Sequence, residues 1–373
     1  MPPGTICIFA TEHELASRFE DHAPPATRGH EAMGGISGTD AEDPMATYLV
    51  TGTAGFIGSR VTHNLLQDGH TVVGVDNLND AYDVRLKHWR LARIAEHPSF
   101  CFHHLDICDR GRLGELFSQA SQFRHPGFDA VINLAARAGV RQSVRDPWCY
   151  FETNTTGTLN LLDLCREHGV AQLVLASSSS LYGAHNPCPF REDADTDRPL
   201  SPYAASKKAA EALCYSFHAL HGLHVTILRY FTVYGPAGRP DMSPFRFVQW
   251  ISEDKPVVLF GDGRQSRDFT YVDDIASGTC ASLGLPGYNI INLGSDQPVV
   301  LIDAIQAFEK LIGKPAKVEY RPRDPADVPT TWADISKAKR LLGWRPRTPF
   351  EDGIGQVVAW YQEQRDWAKE IQC

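Results

Sequence analysis

Tyr48-Leu-Val-Thr-Gly52-Thr-Ala-Gly55-Phe56-Ile57-Gly58 is the stretch on which the fold turns. An apolar run that predicts a strand at 48–50 leads straight into three spaced glycines. Apolar residues at helical spacing (Ile57, Val61, Leu65, Leu66) then predict a helix over 56–67. Each glycine has a mechanical reason. Gly52 permits a tight turn, Gly55 lets backbone amides approach a pyrophosphate, and Gly58 allows the helix to pack close to the strand. The start of the helix adds unpaired N–H groups and a partial positive charge. A second predicted strand, 71–75, ends at Asp76, eighteen residues past Gly58. A carboxylate there accepts both hydroxyls of a ribose and repels a 2′-phosphate, so the pattern predicts a dinucleotide site for NAD rather than NADP. Asp106, after a third strand, has two readings: a partner for an adenine amino group, or the cap of a helix starting near Asp109.

Outward from this unit the same rhythm repeats. Strands are predicted at 100–103, 130–133, 173–176 and 225–228, and helices at 110–119, 153–167 and 203–220. Alternation of near-continuous apolar strands with amphipathic helices predicts an α/β fold. It is a Rossmann-like, doubly wound parallel sheet covered on both faces. After Tyr230 the rhythm breaks, and Pro and Gly rise at Gly235-Pro236, Gly238, Pro240 and Pro244. We therefore expect residues 45–229 to be the dinucleotide-binding domain. Residues 230–373 are expected to be mainly a smaller α/β substrate-binding lobe, with segments such as 271–283 returning to the main sheet. Residues 1–44 carry eight acids against Arg18 and Arg28 and are rich in Pro and Gly, which predicts a mobile acidic leader. Met45, two residues before the first strand, is the expected native start.

Composition sets the outer limits. The chain has 373 residues, 43% of them apolar and 22% charged, enough for one large or two modest domains. A net charge of −9 argues against a broad nucleic-acid footprint. No apolar run has the roughly 18–20 residues of a membrane span, and no secretory leader pattern is present. Nine cysteines fall without a CxxC pair, which suits reduced thiols in a cytoplasmic protein and no structural metal.

Tyr203 and Lys207, four apart on a predicted helix opened by Ser201-Pro202, share a face. A phenol starts near pKa ~10, and making it a base near neutrality takes ~3 units, or ~4 kcal/mol, from nearby cations. Lys207 is one such cation and an oxidised nicotinamide ring is another. The pair follows a strand ending in Ser177-Ser178-Ser179-Ser180, whose hydroxyls could bind the same substrate oxygen.

At this point the chain resembles the extended short-chain dehydrogenases/reductases, and among them the nucleotide-sugar epimerases, across roughly residues 47–362. The resemblance rests on the glycine turn, Asp76-Asn-Leu-Asn79, Asn133-Leu-Ala-Ala136, the four serines and Tyr203–Lys207. It continues through Arg229-Tyr-Phe-Thr-Val-Tyr-Gly-Pro236, Arg267-Asp-Phe-Thr-Tyr-Val-Asp-Asp274 and Asp327-Val-Pro. Within that group it is most similar to UDP-glucuronate 4-epimerases, through Asn77-Leu-Asn-Asp-Ala-Tyr-Asp-Val-Arg-Leu-Lys87, Ala138-Gly-Val-Arg-Gln-Ser143 and Gly238-Arg-Pro-Asp-Met242.

The resemblance implies an NAD-dependent 4-epimerase that acts on a UDP-sugar through a transient 4-keto intermediate. Tyr203 is implied as the base toward the 4-hydroxyl, with Lys207 as its tuning cation and Ser178 beside the reacting oxygen. It implies tightly held NAD at Gly52, Gly55, Phe56, Ile57, Gly58, Asp76, Asn77, Asn79, Asp106, Ile107, Leu134, Ala135, Ala136, Tyr203, Lys207 and Tyr230. For the substrate it implies Arg239 and Arg267 on the diphosphate, Asp327 on the uridine ribose, Arg141 nearby, and Ser179, Ser180 and Thr232 near C6. It also implies a homodimer through the helices near 153–167 and 203–220, whose faces carry Leu161, Leu162, Ala209, Leu213 and Phe217.

The chain departs from the uronate-epimerase pattern at four positions. Arg137 stands where glutamine is usual, Gln142 where tyrosine is, Ala237 in place of a common tryptophan, and Asp324 at a position often uncharged. Three related readings stay open: decarboxylation of UDP-glucuronate, 4-epimerisation of UDP-glucose, and a non-catalytic NAD-binding scaffold. Dehydration is disfavoured, because Ser179 and Ser180 follow the strand hydroxyl where similar dehydratases carry acids.

Overall fold

Six strands lie where the alternation of the sequence placed them: β1 (Thr47–Thr51), β2 (Thr71–Asp76), β3 (Phe100–His104), β4 (Ala130–Asn133), β5 (Gln172–Ser178) and β6 (His224–Tyr230). The computed structural model describes residues 45–120, 127–323 and 327–373, so the acidic leader and Asp324 lie outside the described residues. Between the strands run α1 (Phe56–Gln67), α2 (Arg85–Ala92), α3 (Arg110–Gln119), α4 (Gly157–His168) and α5 (Pro202–His221).

Successive strand residues point to opposite faces. Leu49, Val73, Val75, Val131, Leu173, Leu175, Val225 and Ile227 accordingly enter one core, beneath Leu113 and Leu116 of α3, Leu161 and Leu164 of α4, and Cys214 of α5. Val50, Val72, Ile132, Val174 and Leu228 enter the other, against Val61, Leu65 and Leu66 of α1. Burial on both faces is why these strands read as continuous apolar runs.

Beyond β6 come β7 (Thr232–Tyr234), α6 (Ser243–Ser252), β8 (Pro256–Phe260), β9 (Ser266–Tyr271) and α7 (Val272–Cys280). The chain then returns as β10 (Tyr288–Leu293), which pairs in parallel with β6. The main sheet is therefore ordered β10-β6-β5-β4-β1-β2-β3, all parallel, and the order in which strands are added reverses between β1 and β4. The expectation that 271–283 rejoins the sheet is corrected. That stretch is α7, with Asp273 and Asp274 in its first turn favouring the helix dipole and Ile275 and Ala276 buried. The strand that rejoins is the six-residue run bounded by Gly287 and Gly294.

β11 (Pro298–Val300) completes a three-stranded sheet, β11-β9-β7, and β12 (Lys317–Arg321) pairs with β8. α4 starts four residues later than the spacing predicts, after one wide turn over Glu152–Thr156. α2 is not foreseen by spacing, because half of its eight residues are basic and it buries only Leu86, Lys87 and Arg90.

Candidate active site

The glycine turn is shaped by steric necessity. Gly52 has φ +71°, and a Cβ there would stand 2.7 Å from the Ala135 nitrogen and 2.8 Å from the Leu134 carbonyl carbon. A Cβ on Gly55 would meet the Gly52 carbonyl oxygen at 2.8 Å, and one on Gly58 would overlap that oxygen outright. The turn closes through the Gly55 amide on Gly52 O (2.9 Å) and the Gly52 amide on Val75 O (2.7 Å). Leu134, Ala135 and Ala136 follow β4 directly, so the amide-lined turn and this segment face each other at the switch point between β1 and β4. A cradle that any side chain would fill, ahead of a helix N-terminus, fits a dinucleotide pyrophosphate.

At the end of β2, Asp76 is buried. Its Oδ2 accepts from the Ala54 amide (3.2 Å) and its Oδ1 from the Leu78 amide (2.8 Å). The ammonium of Lys87, also buried, lies 3.6 Å from Asp76 and donates to Asn79 Oδ1 (3.2 Å). Of the two readings of Asp106, the helix cap is excluded: Asp109 is the cap, accepting from the Arg112 amide. Asp106 instead accepts from Asn77 Nδ2 (2.7 Å) and the Cys108 amide (2.8 Å). Asp76, Asn77, Asn79 and Asp106 therefore form one polar edge.

Two expected cofactor residues have side chains engaged in the core. Ile107 is packed into the core, against the spot where Gly157 has no Cβ. Tyr230 has its hydroxyl paired with Thr279 of α7 (2.8 Å), leaving only its ring edge or backbone for the crevice.

α5 starts on its expected cap, with Ser201 Oγ accepting from the Ala204 amide (3.2 Å). This sets Tyr203 in the first turn, where its phenol comes within the influence of the Ser178 hydroxyl at the end of β5. Ser178 Oγ also accepts from the Ser180 amide (3.2 Å) and contacts Ser180 Oγ (3.2 Å), which gathers Ser178, Ser179 and Ser180 at one strand end. Burial pushes the Tyr203 phenol above its ordinary value. The Ser178 hydroxyl and the Arg239 guanidinium pull it down, and Asp241 opposes them.

The Lys207 ammonium donates to the Ala176 carbonyl (2.8 Å), and burial pushes it down to about 8. Beside the expected cations, Lys207 and the nicotinamide ring, Arg239 also lies within electrostatic reach of the phenol. The ring of Tyr150 stands edge-on to that of Tyr203 at 6.1 Å.

Arg239 forms a two-pronged pair with Asp241, at 3.0 and 2.5 Å. Arg141 pairs with Asp327 at 2.5 Å and lies over the Phe260 ring. Arg267 donates to the Ser266 and Pro329 carbonyls, within electrostatic reach of Asp327, Arg323 and Arg141. The structure thus brings Arg141, Arg267 and Asp327 together at one end and sets Arg239 beside Tyr203. Thr232 opens β7 opposite Phe269.

Sequence reasoning passed over Tyr150, Asp241 and Arg90. Asp241 had a signal, two residues from Arg239 in the same phrase; Tyr150 had none. Arg90 is buried and donates to the carbonyls of Ala237 (3.0 and 2.6 Å), Gly238 (3.3 Å) and Ala54 (3.4 Å). It so ties the glycine turn to the loop that carries Arg239. Ala237, the departure from tryptophan, holds a left-handed φ of +51° under that clamp. Among the described residues, no group of three His, Cys, Asp or Glu side chains is arranged to hold a metal ion. No helix there is long and apolar enough to cross a membrane.

This sheet order, with the glycine turn at the switch point and the Ser–Tyr–Lys group across from it, is that of the extended short-chain dehydrogenases/reductases. The chain belongs to the NAD dependent epimerase/dehydratase family, whose model matches residues 48–294. It is 55% identical over 328 residues to a UDP-glucuronate 4-epimerase of Thermodesulfobacterium geofontis, covering 88% of this chain and 99% of that one. Among solved structures it is similar to the UDP-glucuronic acid 4-epimerase of Bacillus cereus in complex with UDP-glucuronic acid and NAD. That match has a TM-score of 0.80 and 36% identity, over 85% of this chain and 99% of the other. It is also similar to a UDP-glucose 4-epimerase of Thermotoga maritima with UDP-glucose, with a TM-score of 0.78 and 30% identity over 86% and 99% of the two chains.

Proposed function

We propose that the protein is an NAD-dependent 4-epimerase that converts UDP-glucuronate to UDP-galacturonate. The observation that carries the reading is the convergence of Tyr203 in the first turn of α5, Lys207 one turn on with its ammonium on the Ala176 carbonyl (2.8 Å), and Ser178 at the end of β5. The 55% identity to a UDP-glucuronate 4-epimerase supports the choice of sugar.

NAD, when bound along Gly52–Gly58, Asp76 and Asp106, supplies a reversible hydride acceptor for C4 of the sugar. The chain's own residues do the rest. Tyr203, as phenolate, takes the O4 proton while Ser178 holds that oxygen, and the C4–O bond becomes a carbonyl. Arg239 and Arg267 hold the diphosphate with planar guanidinium forks. Arg239 must exchange Asp241 for phosphate oxygens to do so. Asp327, now paired with Arg141, is the ribose partner for the uridine. The flat 4-keto sugar turns about its bond to the diphosphate and offers its other face. Once C4 has regained its hydride on that face, Tyr203 returns the proton to O4, so no net oxidation occurs.

The 4-keto uronate is a β-keto acid, which loses carbon dioxide when its carboxylate bond aligns with the carbonyl. Ser179, Ser180 and Thr232 hold the carboxylate out of that alignment with short hydroxyl donors.

In this reading, residues 45–229 hold the cofactor and 230–373 mainly the nucleotide sugar, in a cytoplasmic enzyme. The enzyme pairs as a homodimer through α4 and α5. Leu161 and Leu162 are fully buried within the monomer. Ala209, Leu213 and Phe217 are partly exposed, and Leu159, Tyr215 and Leu220 are exposed by 39%, 57% and 76%.

The test is incubation of the purified protein with UDP-glucuronate and no added cofactor, followed by proton NMR. UDP-galacturonate at constant total nucleotide sugar is the expected product. Release of carbon dioxide, or turnover of UDP-glucose alone, would overturn the assignment.

A further inference from the structure

We infer that Glu211, which touches neither reacting atom nor cofactor cradle, is the positioning residue that sets Tyr203, Lys207 and Ser178 against one another. The inference rests on the epimerase reading above. Glu211 stands one helical turn after Lys207 and two after Tyr203, on the face of α5 turned to the sheet. Its Oε1 accepts from Ser177 Oγ (2.6 Å) and Arg229 Nε (3.0 Å), and its Oε2 from Arg229 Nη2 (2.8 Å). Ser177 is the residue before Ser178 and lies directly across the β5–β6 pairing from Arg229. One carboxylate therefore pins α5 to the two central strands at the level of the candidate catalytic groups. A small rotation of α5 would part Tyr203 from Ser178.

All three side chains are buried, Glu211 and Arg229 at 3% and 2% exposure. A well-packed apolar trio of similar volume is often as stabilising as such a pair, so stability alone does not account for it. What an apolar trio cannot supply is fixed geometry together with a charge.

The charge acts on Lys207. Burial disfavours its ammonium, and Glu211 is the anion that opposes this. The other titratable groups around the clamp are Cys214 on α5, Cys165 on α4, Tyr288 on β10, Tyr182 beyond Arg229, and Glu192, whose backbone carbonyl accepts from Arg229 Nη1 (3.3 Å). Burial pushes the two thiols and two phenols up, which keeps them neutral, and it pushes the Glu192 carboxyl up as well. From β5 the ammonium meets only the uncharged Ala176 carbonyl, and from β6 Arg229 faces Glu211.

The test uses NAD-loaded wild type, Glu211→Gln, and the double variant Glu211→Met with Arg229→Met, whose apolar pair protects folding should the single change fail. Lys207 is titrated by carbon and nitrogen NMR of labelled lysine, assigned by the signal lost in Lys207→Met. For Glu211→Gln we expect the ammonium to lose its proton about one pH unit earlier and the alkaline limb of kcat to move with it. For both variants we expect kcat to fall about ten- to hundredfold while KM stays within about threefold, the pattern of misplaced reacting groups. Glu211→Gln with an unchanged Lys207 titration, or a folded double variant with wild-type kcat, overturns the inference. Failure of the epimerase reading shows separately, as wild type that turns over no UDP-sugar, and the Lys207 titration then still decides the clamp.

Discussion

Replacing Gly58 by alanine tests the glycine turn most directly, because the structure fixes what the new methyl would meet. Its Cβ would come 2.0 Å from the Gly52 carbonyl oxygen and 2.8 Å from the carbonyl carbon. An unstrained carbon–oxygen contact is about 3.3 Å, so backbone must move by roughly 1.3 Å. No flexible side chain is available to absorb this. Overpacking against backbone costs about 3 kcal/mol. Loss of the Gly55 amide bond to the displaced Gly52 oxygen adds about 1 kcal/mol. The higher helix propensity of alanine returns up to about 1 kcal/mol.

The expected destabilisation is thus about 3 kcal/mol, with NAD affinity lowered at least tenfold because the turn's amides move with Gly52. Gly111→Ala is the control: it too lies in the first turn of a helix, but its nearest neighbour is Asp109 Oδ1 at 3.5 Å, an ordinary contact. It should be neutral or stabilise by up to about 1 kcal/mol. Urea titration at matched m-values and fluorescence titration with reduced dinucleotide measure the two effects. Gly58→Ala destabilised by less than about 1 kcal/mol, with NAD affinity within threefold of wild type, would refute the steric account of the turn.

Tyr203→Phe should keep the ring packing against Tyr150 and change stability by about 1 kcal/mol or less, while turnover falls about 10²- to 10⁴-fold with NAD still bound. Activity above a tenth of wild type, read by NMR, removes Tyr203 from the proton transfer. Lys87→Met leaves the buried Asp76 carboxylate without its cation and should lower stability by about 3 kcal/mol; a denaturation midpoint equal to wild type would show that the pair does not hold this edge. Lys207 is lowered by burial from 10.5 to about 8, so between those values the unfolded chain holds a proton that the folded chain has released. Its contribution to stability therefore rises with pH across that window, and below about pH 8 the folded state carries a desolvated ammonium. Lys207→Met in cofactor-free protein should raise Tm at pH 7, by an amount that shrinks toward pH 10, while abolishing turnover; an unchanged or lower Tm at pH 7 contradicts this.

Those features that depend on residues adjacent in the chain were legible in the amino-acid order. The glycine turn, the Ser201-Pro202 start of α5, the alternating strand faces and the carboxylate at the end of β2 each follow from sterics or hydrogen bonding within a few residues. So did most of the candidate site, since Tyr203, Lys207 and Ser178 sit at ends of elements whose bounds are set locally. The tertiary structure alone decided which groups meet across the fold. Arg141 finds Asp327 over a separation of 186 residues, and Arg90 reaches Ala237 over 147. β10 rather than 271–283 closes the sheet, the Tyr230 hydroxyl turns into the core, and Arg239 joins the groups that act on the phenol. These are contacts whose attraction extends only a few ångströms, so they exist only once the fold has carried remote segments together, and no local pattern encodes that arrangement.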